Sequence, residues 1–219
     1  MMKIIYEDNH LLIVEKPINI PVCEDNTKDT DLLTILKNYI KKKYNKPKNV
    51  YLGLVHRLDR PVGGIMVFAK TSKAASRLSE QIRNHQFQKE YFAIVEGKLL
   101  HSKGKYQDFL LKDHNQNMSY VNEKGKEAIL YYEVLQYNQE HLLSLVKIRL
   151  ETGRSHQIRV QFAHHGNPLY GDQKYNKNAR IGEQIALFSK TITFLHPITK
   201  EQVVFDLAFP NVYPWSIFK

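Results

Sequence analysis

At 219 residues, 42% of them hydrophobic and 11% aromatic, the chain is long and apolar enough to bury a substantial core, which excludes a disordered protein. Lys and Arg number 32 against 22 Asp and Glu, a formal net charge of +10 that is spread along the length and not gathered in a tail. Such a balance argues against an acidic partner-binding module and for a basic face, whose commonest partner is RNA or DNA. In chain order, Ile4–Tyr6 and Leu11–Val14 flank the turn-rich Glu7-Asp8-Asn9-His10 and read as a β-hairpin. Pro17 and Pro21 then impose an irregular path, and from Thr30 the spacing Leu32, Leu33, Leu36, Tyr39, Ile40 predicts a helix capped by Thr30 or Asp31. The run Lys41-Lys42-Lys43 falls at its C-terminal end, where it suits the helix dipole as well as it suits RNA.

Residues Tyr51–Val55 and Ile65–Ala69 read as strands on either side of a loop. Thr71-Ser72 is placed to cap a second helix with Ala74, Ala75, Leu78 and Ile82 on one face. Tyr91–Val95 is a strand closed by Gly97, and residues 99–125 carry weak strand character around polar turns. Long β runs follow over Ala128–Val134 and Leu142–Leu150, then a turn through Thr152–Ser155 into a short helix stopped by Gly166. Ile185–Phe194 and Gln202–Phe209 form a closing hairpin. Strands dominate, repeats and linkers are absent, and the expected fold is one α+β domain over residues 1–219, built on a long, mixed, mostly antiparallel sheet with a few flanking helices.

Three segments carry candidate chemistry. His56-Arg57-Leu58-Asp59 occupies the loop between the two strands, ahead of Gly63-Gly64, where a ligand can approach closely. It reads equally as a carboxylate poised for catalysis or as a surface turn with an Arg–Asp ion pair. Gly153-Arg154-Ser155-His156-Gln157-Ile158-Arg159 opens the short helix, with Ser155 available as cap and two arginines suited to an anion. In Lys89-Glu90-Tyr91-Phe92 the two rings point to opposite faces of a strand, one toward the core and the other free to face a cleft. Ten histidines bring no HExxH or paired-carboxylate pattern, and neither GxxxxGK[ST] nor GxGxxG occurs, so neither a metal nor a nucleotide cofactor is expected. The lone Cys23 cannot form an internal disulfide and suits a reducing cytoplasm. No apolar stretch is long enough for a signal peptide or a membrane helix.

Lys16-Pro17, His56–Asp59 with Gly64 and Ala69-Lys70, Lys89-Glu90-Tyr91, and Thr152–Arg159 with Gly166, Pro168 and Gly171-Asp172 follow one another over nearly the whole chain. In that order they resemble the RluA-type RNA pseudouridine synthases. One departure is Val62-Gly63-Gly64 where the family often has Thr-Ser-Gly, a loss of two hydroxyls that bears on loop shape. The chain is also expected to start directly at the catalytic fold, without the small S4 RNA-binding domain of some relatives. The resemblance implies a pseudouridine synthase-like fold with an RNA-binding cleft, and isomerisation of a uridine in structured rRNA or tRNA without any cofactor. It assigns Asp59 as the essential carboxylate, Arg154 as its charged partner, and Tyr91 as the residue that stacks on a flipped uracil. Arg57, His56, Arg60, His156 and Arg159 are implied RNA contacts. A cytoplasmic monomer is expected. The rival class is a non-catalytic RNA-binding or ribosome-assembly factor on the same fold, whose signature would be loss of the acid or its arginine.

Overall fold

A computed structural model describes residues 2–25 and 27–218. Two compact units emerge, Met1–Gln88 with Thr191–Leu207, and Lys89–Lys190 with Ala208–Lys219. In the first, β1 (Lys3–Glu7) and β2 (Leu11–Lys16) form the expected antiparallel hairpin. Asp8 shapes its turn, the carboxylate accepting from the amides of His10 (2.7 Å) and Leu11 (2.6 Å). The 51–55 run contributes less than its composition suggests, since only β3 (Gly53–Leu54) is laddered. Both β2 and β3 pair antiparallel with β4 (Gly63–Ala69), which is buried along its whole length. Farther along the chain, β10 (Leu187–Leu195) lies next to β4 and pairs antiparallel with β11 (Gln202–Asp206), giving the closing hairpin.

Helix α1 (Leu32–Lys43) is capped by Asp31, whose carboxylate accepts from the Thr34 amide at 2.9 Å, and it buries Leu32, Leu36 and Ile40. Helix α2 (Ser72–Arg83) is capped by Thr71 and buries Ala74, Leu78 and Gln81, while Ile82 stays half-exposed. The expected apolar face thus includes a polar residue. Gln81 is tolerated inside because its amide donates to the Leu195 carbonyl and accepts from the Leu195 amide, both at 2.8 Å, pairing like another strand.

The second unit is built on antiparallel strands in spatial order β5 (Gln88–Glu96), β9 (Leu143–Leu150), β8 (Lys126–Asn138), β6 (Lys103–Asp113), β7 (Met118–Val121). Segment 99–125 is therefore more regular than its weak pattern implied. Along β6 exposed and half-buried residues alternate, so few apolar residues mark it, and the ladder with β8 from Lys103 to Leu110 supplies the order. A register shift between Val134 and Gln136 lets β8 continue to Asn138, past the expected end. Helix α3 (Gln157–His164) follows β9, and a 3-10 turn spans Trp215–Ile217. The expected α+β architecture on large, mostly antiparallel strand ladders is what the chain adopts.

Glu7 is the polar anchor of the first unit. Its carboxylate, 7% exposed, accepts from Tyr39 (2.9 Å), Lys43 (2.7 Å), Tyr44 (2.8 Å) and Lys70 (2.8 Å). Desolvation pushes its pKa up, but these hydrogen bonds outweigh it and hold the group at about 2, against an ordinary 4.5. Because the folded value is the lower one, the stabilisation is complete above pH 4.5 and is lost as the pH falls through 2. Glu7→Gln is expected to cost about 1–3 kcal/mol at neutral pH and to flatten the acid limb of the stability profile, measured by urea unfolding. An unchanged limb would show that Glu7 does not carry it.

Candidate active site

Each unit carries part of the candidate machinery. In the first, Asp59 is half-buried in a tight turn, its carbonyl accepting from the Val62 amide at 3.0 Å. The turn is braced from below by Lys16, at the end of β2 and 1% exposed. The Lys16 ammonium donates to the carbonyls of Pro17 (2.9 Å), Arg60 (2.9 Å) and Val62 (2.8 Å), matching three donors with three acceptors. Burial pulls its pKa down to about 7, with the negative charge of Asp59 opposing that shift and Arg60 adding to it. Lys16 is paired in register with Gly64, whose φ of 125° is strained for any side chain. Gly64 is thus required by the backbone, beyond any approach by a ligand. Val62, at the departure from the family pattern, is 2% exposed and fills an apolar position.

The other residues of this loop divide between support and presentation. His56 is 7% exposed, and its Nε2 accepts from the Val67 amide of β4 at 3.0 Å. It therefore fixes the loop onto the sheet, a burial that sequence alone does not reveal. Arg57 is exposed, with its guanidinium 3.8 Å from the Cys23 sulfur. Arg60 donates to Thr27 Oγ1 at 2.8 Å and pairs with Asp29, with Asp25 at 3.6 Å. No zinc-like or other group of three His, Cys, Asp or Glu side chains is arranged for a metal among the described residues.

In the second unit Tyr91 lies on β5 and is 5% exposed, with Ile148 of β9 and then Tyr132 of β8 beside it in register. Phe92, on the opposite face, is 7% exposed and meets the Phe209 ring edge-on at 5.0 Å. Both rings are therefore largely withdrawn from water, the one expected in the core and the one expected to be free to face a cleft alike. The loop from β9 into α3 is stapled by Gln157, itself 2% exposed. Gln157 Oε1 accepts from the Arg154 amide and from Thr152 Oγ1, both at 2.9 Å, and its Nε2 donates to the Ile129 carbonyl at 3.0 Å. Ser155 does not cap α3. The N-cap position falls to His156, in the left-handed conformation at φ 55° and without a capping side chain, because Gln157 already ties down the loop.

Of the two arginines here, Arg154 is exposed and donates through Nε to the Glu127 carbonyl at 2.8 Å. Arg159, expected to face RNA, is instead 4% exposed and donates to both carboxylate oxygens of Asp172, at 2.8 and 2.7 Å. A fork closed on a fully buried carboxylate holds α3 to the 171–176 turn. The His156 ring meets Tyr175 through Nδ1 and the hydroxyl at 2.7 Å, and the same hydroxyl accepts from the Ser119 amide at 2.8 Å. Sequence reasoning missed Lys16 as a brace and Asp172 and Tyr175 as supports. Lys16 and Asp172 at least lie inside matched motifs, whereas Tyr175 lies beyond them, and the partners at Val62, Arg159 and Ser119 are 46, 13 and 56 residues away.

A sequence profile described as RNA pseudouridylate synthase matches residues 10–164. The chain is 35% identical over 211 residues to an uncharacterised RNA pseudouridine synthase of Bacillus subtilis, covering 95% of this chain and 69% of that protein. It is 33% identical to ribosomal large subunit pseudouridine synthase C of Buchnera aphidicola, with the same coverage. Against ribosomal large subunit pseudouridine synthase D of Vibrio parahaemolyticus the identity is 31%, over 96% of this chain and 68% of that one. Among solved structures, human RNA pseudouridylate synthase domain containing 4 matches with a TM-score of 0.79 at 20% identity, covering 95% of this chain and 88% of its own, a likeness of fold.

The buried pair gives a direct test of support. Arg159→Met strands the Asp172 carboxylate and is expected to cost about 3–5 kcal/mol, lowering Tm by roughly 10 °C. A melt within a degree of wild type, followed by circular dichroism, would show that the pair is not a brace.

Proposed function

We propose, from the premise that this chain belongs to the RNA pseudouridylate synthase family, that it converts specific uridines of structured RNA into pseudouridine, with Asp59 as the essential carboxylate. The bond from ribose C1′ to uracil N1 breaks, the base turns, C1′ rejoins at C5, and the C5 proton leaves while N1 takes one up. The product is an isomer of the substrate, so atoms and electrons balance without a cofactor. The observation that carries this reading is that the His56–Asp59 motif sits in a loop braced by buried groups, Lys16 beneath it and His56 on β4. A reactive group held this firmly meets the positional demand of catalysis.

A uridine inside RNA structure must first be extruded, at a cost of a few kcal/mol. Arg57, exposed two residues before Asp59, is the side chain proposed to fill the space it leaves. Tyr91 stacks on the extruded uracil and handles the C5 proton. Arg154 supplies the cationic partner that the carboxylate chemistry calls for, while Arg60 and His156 contribute RNA contacts at the rims of their loops. The relatives named for the ribosomal large subunit make its RNA the first substrate to test, with tRNA second. The whole chain is proposed to work as one catalytic domain and as a monomer. Its charge and its single cysteine favour the cytoplasm, and no helix among the described residues is long and apolar enough to cross a membrane.

Tritium release from transcripts labelled at uridine C5 reads the reaction directly. Asp59→Asn is expected to lower turnover by roughly a thousandfold or more, at least about 4 kcal/mol of barrier, with RNA affinity retained. Substantial turnover in that variant would overturn the role of Asp59. Tyr91→Phe keeps the ring and should bind RNA normally while turning over slowly. A wild-type rate would leave the hydroxyl without a function.

A further inference from the structure

Lys89 is the second residue of β5, two before Tyr91, so both side chains belong to one face of the strand, about 7 Å apart along it. It is half-buried, and its side chain makes no hydrogen bond or ion pair with the described residues. Its neighbour Glu90 cannot serve, because it points to the opposite face and is engaged there with Lys147 at 2.7 Å. Across the ladder, the residues that share the Tyr91 face are Ile148 of β9 and Tyr132 of β8, neither of them acidic. Glu133 lies on the other face, paired with Lys103 at 2.7 Å. The result is a half-buried cation on the Tyr91 face of β5, with no ion pair to a carboxylate among the described residues.

We propose that Lys89 is the subsite for a backbone phosphate of the nucleotide whose base lies on Tyr91. This rests on the catalytic reading above, which puts a uracil against that ring. A nucleotide stacked there carries its own phosphates within one nucleotide's length of the Lys89 stem. Burial lowers the pKa of the free lysine, a desolvation cost that a bound phosphate offsets. The motif therefore couples two functions on one strand face, a ring for the base and an ammonium for the backbone. Holding the phosphate adds affinity without touching the reacting atoms, which makes Lys89 a binding residue, not a catalytic one.

The test compares wild type, Lys89→Met and Lys89→Arg by tritium release from transcripts of large-subunit rRNA and of tRNA, over a range of salt. Lys89→Met is expected to raise KM about tenfold with kcat little changed, and to flatten the slope of log kcat/KM against log salt by about 0.7–0.9, the share of one phosphate. Lys89→Arg should keep the wild-type slope. A Met variant with the wild-type slope would overturn the proposal. If that variant does not fold, short synthetic substrates carrying one neutral methylphosphonate at a time answer the question with wild type alone. One phosphate next to the target uridine should then cost about tenfold, and no loss at any flanking position would contradict the subsite. A wild type that releases no tritium from any RNA contradicts the catalytic reading itself, and the subsite falls with it. An active wild type with an unaltered Met slope contradicts only the subsite.

Discussion

The buried ammonium of Lys16 is the interaction on which the rest of the Asp59 loop depends. A charge this far from water is unfavourable unless each of its protons finds an acceptor, and here three protons meet the carbonyls of Pro17, Arg60 and Val62. Two of those acceptors follow Asp59 in the same turn. The carbonyl of Asp59 is itself committed to the Val62 amide, so the carboxylate is carried on a backbone with few alternatives. Gly64, opposite Lys16 in the ladder, has the backbone freedom that lets the loop re-enter β4 immediately after this turn. Val62 shows why hydroxyls are dispensable here, since its side chain is buried and its polar backbone is satisfied by Lys16 and Asp59.

The second unit uses the same logic with different groups. Gln157 ties the β9–α3 loop through one buried amide, and the Arg159–Asp172 pair ties α3 to the turn that follows it. Buried polar groups of this kind add little net stability but are costly to break, which suits them to holding one arrangement. Fixing the backbone in this way leaves other polar groups to face outward. Arg57 and Arg154 remain exposed, whereas His56 and Arg159 are spent on support. The ion pairs of Arg60 with Asp25 and Asp29 lie on the surface and contribute little to stability.

Most of the fold was legible because its signals are local. The β1–β2 hairpin, the capped helices α1 and α2, and the buried run of β4 follow from periodicity and capping residues that lie side by side in the chain. β6 was nearly invisible, since half-exposed strands carry polar residues and gain their order from a distant partner. Among the functional residues the motifs could be found, but not the division of labour within them. Nothing local distinguishes His56 from Arg57, or Arg154 from Arg159. That distinction comes from burial and from partners such as Val67 and Asp172, brought together only by tertiary packing. Gln81 illustrates the same limit, a polar residue on an apolar helix face whose partner is the backbone of a strand 114 residues away.

Pseudouridine mapping of total RNA from cells with and without this gene, rescued by wild type or by Asp59→Ala, tests the central claim most directly. The account predicts at least one site that disappears on deletion, returns with wild type and stays absent with the Asp59 variant. A full complement of sites after deletion, or rescue by the Asp59 variant, would contradict it.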